Sequence, residues 1–369
     1  MLEDLKSNLK NIVGKRIDRK IVVFSVDDYG TIRTASKKAK ENMKKEGLKM
    51  LSYFDEYDAL ETTDDMTALY EVLQSVKDKN GNPAVFTAFA LSANIDFEKI
   101  IKSDYTKYEY ELLPETYKKL GAEYNGVMSL WKKGMNQKLI KPQFHGREHL
   151  NIKLFNKLLN SKDKQLMINF ENRSYSAIND SIYPTISFPA AFDFDNFSEN
   201  EDFKSIIKDG LISFEKVFGF RATHFNAPGD SEHHILHKTL KENGIISIDQ
   251  QLIGSEHQGN GKYKKVFSYM GRKTKADQTI LIRNCVFEPQ TRKGIDWVAY
   301  TLKQIDAAFR WKKPAIISSH RVNFAGHIDP NNRKEGLSKL RSLLKQIVKK
   351  WPDVEFMNVD ELVKEISNK

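Results

Sequence analysis

A chain of 369 residues with 40% hydrophobic and 29% charged side chains has room for one large α/β domain or two ordinary ones, and no stretch of it marks a join. No apolar run approaches the length of a membrane span, and the single cysteine, Cys285, excludes an internal disulfide or a thiolate cluster, so a metal site must be built from His, Asp and Glu. The net charge of +10 is dominated by lysines spread along the whole chain without arginine-aromatic alternation, which suits solubility and argues against nucleic-acid recognition.

Residues 1–20 read as an N-terminal helical extension, with Leu2, Leu5, Leu9 and Val13 near helical spacing. They mix acids and bases around no apolar core, so no signal peptide is read there and a cytoplasmic chain is expected. Ile21-Val22-Val23-Phe24-Ser25-Val26 is then an apolar, β-prone run suited to a strand buried on both faces, and it stops at Asp27-Asp28-Tyr29-Gly30. Adjacent carboxylates at the carboxyl end of such a strand lie where parallel sheets and barrels keep their chemistry. Capping the next helix or making a turn would also use them.

A lysine-rich helix over 34–46 closes at Gly47, and a second over 66–77 takes N-terminal oxygens from Thr62-Thr63-Asp64-Asp65. After the turn Asn80-Gly81-Asn82-Pro83 comes a second strand over 84–90, and the order strand, helix, strand indicates a parallel sheet or barrel. Residues 95–141, rich in Tyr, Lys and Glu, read as an insertion or long loop with some helix, of the kind that shapes a cleft. The segment His145-Gly146-Arg147-Glu148-His149 leads into a helix over 150–159. Short apolar runs at 165–170 and 185–191 follow, then a helix over 202–218. A strand over 220–225 ends at Asn226, a helix spans 231–243, and the run 245–248 ends at Asp249. A strand over 279–287, a helix over 295–311 and a strand over 315–319 that stops at His320-Arg321 lead to the last helix and a short strand at 354–357.

Polar residues placed just past apolar strands thus recur at Asp27-Asp28, His145, Asn226, Asp249 and His320, and in a parallel barrel such ends converge on one face. His145 and His149 have the i, i+4 spacing that puts two imidazoles on one helical face, and a carboxylate would complete a His-His-Asp set with a position left for water. His233 and His237 share that spacing, but Ile235, Leu236 and Leu240 make their segment an ordinary amphipathic helix. His320, beside two serines and Arg321, reads as part of a polar pocket or as a hydrogen-bonding strand end. Arg283 and Glu288 read as a buried ion pair.

In this order the pieces resemble the NodB-type polysaccharide deacetylases. That family's first motif, Thr-Phe-Asp-Asp-Gly, appears as Ser25-Val26-Asp27-Asp28-Tyr29-Gly30, with one extra residue before the glycine. Its second, His-Ser/Thr-x-x-His, is matched in spacing by His145 to His149, and its late Leu-x-His resembles Ile317-Ser318-Ser319-His320. Its third, an arginine before Pro-Tyr-Gly, is matched loosely by Phe225-Asn226-Ala227-Pro228-Gly229, and the arginine that orients the catalytic aspartate is missing at that place.

The resemblance implies one catalytic domain over 1–369, a distorted (β/α) barrel with fewer than eight strands and insertions at the strand ends. It implies that Asp28, His145 and His149 hold a divalent metal, zinc first among them, with Asp27 as base and His320 as acid. The reaction implied is removal of an acetyl group from an N-acetylated or O-acetylated sugar of a polysaccharide or oligosaccharide, with metal-bound water as nucleophile. Tyr29, Asn226 and Arg321 are expected at the substrate, and Trp131 and Tyr175 are candidates to stack on sugar faces. The alternative is a catalytically inactive carbohydrate-binding protein on the same barrel, favoured by the lost arginine and the insertion.

Overall fold

In the computed structural model, which describes residues 2–178, 185–291 and 294–367, the first apolar run forms β1 (Ile21–Tyr29), buried along its whole length. Eight further strands join it in one sheet: β2 (Phe86–Ala90), β3 (Ile140–Phe144), β4 (His224–Phe225), β5 (Ser247–Asp249), β6 (Thr279–Leu281), β7 (Cys285–Val286), β8 (Ala315–His320) and β9 (Glu355–Phe356). The strands run β6-β5-β4-β3-β2-β1-β8-β7, with β9 beside the start of β1. Every pairing is parallel. Parallel neighbours need crossover connections, which explains why helices Thr63–Gln74, Val127–Asn136, Asn200–Phe218, Trp297–Arg310 and Pro330–Lys350 separate successive strands.

Residues 279–287, expected as one strand, divide into β6 and β7 at opposite edges of the sheet, with only Ile282, Arg283 and Asn284 between them. Eight strands laid flat would span about 34 Å, and four peptide steps reach about 15 Å at most. The sheet must therefore curl until its edges approach. Asn284 fastens the crossing: its Nδ2 donates to the Pro314 carbonyl at 2.9 Å and its Oδ1 accepts from the Ile316 N–H at 2.8 Å. The result is the distorted (β/α) barrel expected, with eight strands on its continuous path rather than fewer. The difference includes β7, two residues long, which the sequence reading merged with β6 into one strand.

The elaborations sit around this frame. Residues 95–141 hold three α-helices (Phe97–Lys102, Leu113–Lys119 and Val127–Asn136), with a hairpin pairing Ala93–Ile95 to Tyr110–Leu112, and their last two residues already belong to β3. The run at 165–170 lies in a helix, Lys164–Glu171. The helix expected over 231–243 is broken into a short turn at His234–Leu236 and a helix over His237–Glu242. A second hairpin, Ile253–His257 with Tyr263–Phe267, follows β5. The N-terminal helix, Leu2–Ile12, packs on Trp297–Arg310, and Asn8 Oδ1 accepts from Trp311 Nε1 at 2.9 Å. Among the described residues no helix is long and apolar enough to cross a membrane.

Candidate metal centre and active site

The two aspartates of β1 face one site only because the strand breaks its own alternation. Asp28 has φ +72°, and the β1–β2 register shifts between Val26 and Tyr29. In a regular strand adjacent side chains point to opposite faces; a bulge with one left-handed residue re-aims the second carboxylate. Asp and Asn accept that backbone more readily than other side chains, for which it costs about 1–2 kcal/mol. Gly30 follows at φ +83°, where a Cβ would lie 2.6 Å from the Leu91 carbonyl, so the motif's glycine is a steric requirement.

Asp28 Oδ1 lies 3.5 Å from His145 Nε2 and 3.2 Å from His149 Nε2, and the ligating atoms of the three buried side chains fall within 4.8 Å of one another. The spacing of the two histidines does not act through a helix, as expected; residues 145–151 are irregular, and the helix begins at Ile152 behind the Asn151 cap. The loop turns at Gly146, φ +122°, and is held by Arg147, which pairs with Glu148 at 2.7 Å and with Asp209 of the Asn200–Phe218 helix at 2.6 Å.

Protonation follows from the partners. His145 Nδ1 is 2.8 Å from the Asn226 carbonyl, which can only accept, so Nδ1 carries the proton and Nε2 turns a lone pair toward Asp28. That Nε2 is buried without a hydrogen-bond partner. A lone pair facing a carboxylate oxygen is an arrangement that a cation resolves, and the donor set fits one. Burial works against the charge of Asp28, but the His149 imidazole opposite it holds its carboxyl well below the usual range. Burial pushes the His149 imidazole down, against the pull of Asp28. An ionised carboxylate with neutral imidazoles is the state that binds a metal.

A second group, His233, His234 and Glu256, also clusters among the described residues, with Glu256 rather than His237 beside His233. Its chemistry differs. His233 Nδ1 accepts the Ile235 N–H at 3.2 Å, so the proton of its neutral ring sits on Nε2, the nitrogen that faces Glu256 at 3.5 Å, and no lone pair is presented there.

Asp27 and His320 are register partners on β1 and β8. Arg283 grips Asp27 at two points, 2.6 and 2.9 Å, and reaches Asp249 at the end of β5 with its Nε at 2.7 Å. An arginine thus does meet Asp27, from the crossing between β6 and β7 rather than from beside Pro228. Arg283 does not pair with Glu288, as the sequence suggested. Glu288 Oε1 instead meets His320 Nδ1 at 2.7 Å, and its Oε2 accepts from Asn323 at 2.6 Å. Burial disfavours the His320 cation, but Glu288, with Asp28 and Asp27, overcomes it and raises the imidazole to about 10. His320 Nε2 is left 3.8 Å from Asp27.

Of the three residues expected at the substrate, Asn226 lines the cavity beside Asp27 and also orients His145 through its carbonyl. The other two are corrected. Tyr29 is 2% exposed and packs edge-on against Trp131, itself fully buried, at 5.6 Å between ring centroids. Tyr175 is buried too, its hydroxyl 2.6 Å from Thr31. Arg321, 1% exposed, is taken up by Asp58 at 2.8 Å, Glu61 at 2.7 Å and the Thr31 carbonyl at 3.0 Å. Arg321→Met would leave buried Glu61 without its cation and Asp58 with Arg33 alone, at 3.6 Å, and is expected to cost about 3–5 kcal/mol, read by urea unfolding; a loss below 1 kcal/mol would contradict this structural role.

No family model matches the sequence, and no curated protein matches it. Solved structures do, over nearly the whole chain. A protein of Mycobacterium smegmatis provisionally assigned as a polysaccharide deacetylase is 9% identical, with 96% of this chain and 93% of that one covered and a TM-score of 0.46. One from Pseudomonas aeruginosa PAO1 with the same provisional assignment is 10% identical, covering 94% and 91% at 0.45. A provisionally assigned glycoside hydrolase/deacetylase of Parabacteroides distasonis is 8% identical, covering 94% and 71% at 0.49.

Proposed function

We propose that this protein is a metal-dependent hydrolase that removes an acetyl group from an N-acetylated or O-acetylated saccharide. One observation carries the reading: Asp28 Oδ1 lies within 3.5 Å of both imidazoles, at the end of the strand that also holds Asp27 beside Arg283 and His320. Asp28, His145 and His149 would hold a divalent cation, zinc first among them. Such an ion, when bound, polarises a carbonyl and brings the pKa of water toward neutrality. The remaining work falls to the chain itself. Asp27, its carboxylate fixed by Arg283, takes a proton from the attacking water, and Asp249 holds the far side of that arginine. His320, kept charged by Glu288, gives a proton to the departing nitrogen or oxygen. An inactive carbohydrate-binding barrel was favoured by the lack of an arginine for the aspartate and by the insertion; the contact of Arg283 with Asp27 weakens the first of these grounds.

Metal content and acetate release, measured together, test this. Protein grown with zinc is expected to carry about one ion per chain and to release acetate from acetylated chito-oligosaccharides, and chelation to abolish both. Metal-loaded protein that binds the oligosaccharides without releasing acetate would leave only the binding reading.

His320 offers an independent check. Its folded-state value lies above that of a free imidazole, so the pair with Glu288 stabilises the fold fully below about pH 6.5. The contribution fades as pH rises through about 10. In chelated protein Glu288→Gln is expected to bring the His320 titration down toward the ordinary range, as followed by NMR. An unchanged midpoint would remove Glu288 as the cause.

A further inference from the structure

The cavity beside Asp27 and His320, about 520 Å³, is not walled like a cleft for bare sugars. Among the described residues no Phe, Tyr or Trp lines it, although stacking on ring faces is how such side chains meet sugars. Its polar lining comes mostly from strand ends, joined by Lys10 of the N-terminal helix and Asp230 of the turn after β4. Its apolar lining is aliphatic and comes from separate elements: Leu9 of the N-terminal helix, Leu252 and Ile253 at the start of the second hairpin, Ile282 of the crossing and Val286 of β7. Leu9 is 50% and Ile253 61% exposed, and the register partner of Ile253 across the hairpin, Phe267, is 49% exposed. Large apolar side chains from two elements, left in water around one catalytic cavity, form an unpartnered rim where a ligand has hydrocarbon to bury.

We infer that the substrate carries an aliphatic chain of several carbons next to the scissile acyl bond, and is an amphipathic acylated saccharide rather than a plain acetylated polymer. This rests on the hydrolase reading above and names its substrate class. The chain has two possible sources, the acyl group itself or a lipid substituent on the sugar. Either way the reaction balances: water adds its oxygen to the acyl carbon, the C–N bond breaks, and the products are the carboxylate and the protonated amine. One proton passes from water to Asp27 and one from His320 to the nitrogen; the proton of the newly formed carboxylic acid then goes to the amine, and the proton on Asp27 returns to His320.

The experiment uses two series, N-acyl glucosamines from acetyl to octanoyl and alkyl glycosides of N-acetylglucosamine from methyl to octyl, below their micelle-forming concentrations. Acyl release gives kcat/KM, and titration calorimetry gives Kd whether or not turnover occurs. Each fully buried methylene contributes up to about fourfold, so the octyl or octanoyl compound is expected to bind and react at least about tenfold better than the shortest. The series that shows the gain locates the chain on the acyl or the sugar side. Ile253→Asp and Leu9→Asp, exposed positions on different elements, are each expected to cut the long-over-short ratio about tenfold, and a ratio unchanged in both variants would overturn the assignment of this wall. Acetate released with kcat/KM and Kd flat across both series would overturn the inference and leave the hydrolase standing. Tight binding of long chains with no acyl group released would sustain the inference and overturn the hydrolase; flat binding without release would overturn both.

Discussion

Asp28→Asn is expected to retain less than about a tenth of the parent's zinc after dialysis and to release acetate at least about 10³-fold more slowly, a loss near 4 kcal/mol of transition-state stabilisation. Asparagine is the informative replacement. It tolerates the left-handed backbone at φ +72°, so the strand keeps its bulge, and it removes the negative charge that faces two imidazoles. Alanine would mix the loss of a ligand with backbone strain. The measurement pairs elemental analysis of the dialysed protein with an acetate assay. Parent zinc content at the parent rate would dissolve the triad on which the functional proposal rests.

The neighbouring residue should behave differently. Asp27→Asn is expected to hold its metal and to lose roughly 10²- to 10⁴-fold in kcat, the usual contribution of a positioned general base. Binding of substrate should change little, because the amide has almost the shape of the carboxylate and Arg283 keeps Asp249 as a partner. The pair of variants therefore separates two roles carried by consecutive residues: one change empties the site, the other leaves it filled and idle. A zinc-loaded Asp27→Asn protein working at the parent rate would exclude Asp27 as the base.

These expectations treat Asp27, Arg283, Asp249 and His320 with Glu288 as one unit spread over four strand ends and a crossing. A change in one member alters the others through contacts of 2.6–2.9 Å, so their effects on rate will not add. Arg283 matters most to this coupling, since it is the one member that touches carboxylates from both β1 and β5.

Local pattern was enough for some of this. A buried strand declares itself by a continuous apolar run, and a residue that ends such a run with charge stands out, so Asp27, Asp28, His145, Asn226, Asp249 and His320 could be picked by their place in the chain. All six meet around the barrel mouth or in the Asp28–His145–His149 cluster, because parallel strands carry their carboxyl ends to one side. Composition likewise sufficed to say that any metal ligands would be His, Asp or Glu.

What tertiary structure alone decided is which way side chains turn and whom they meet far along the chain. Tyr29 and Arg321 sit one residue past Asp28 and His320, yet they face the interior, where Trp131 and the Asp58–Glu61 pair receive them; alternation in a strand reverses at every step, and a bulge resets it. The grip of Arg283 on Asp27 joins residues 256 positions apart and exists only because three residues must cross from one sheet edge to the other, which forces the sheet to curl. No local periodicity encodes that closure. The chain's own pattern selects the polar strand ends, and the geometry of closing a barrel determines which of them touch.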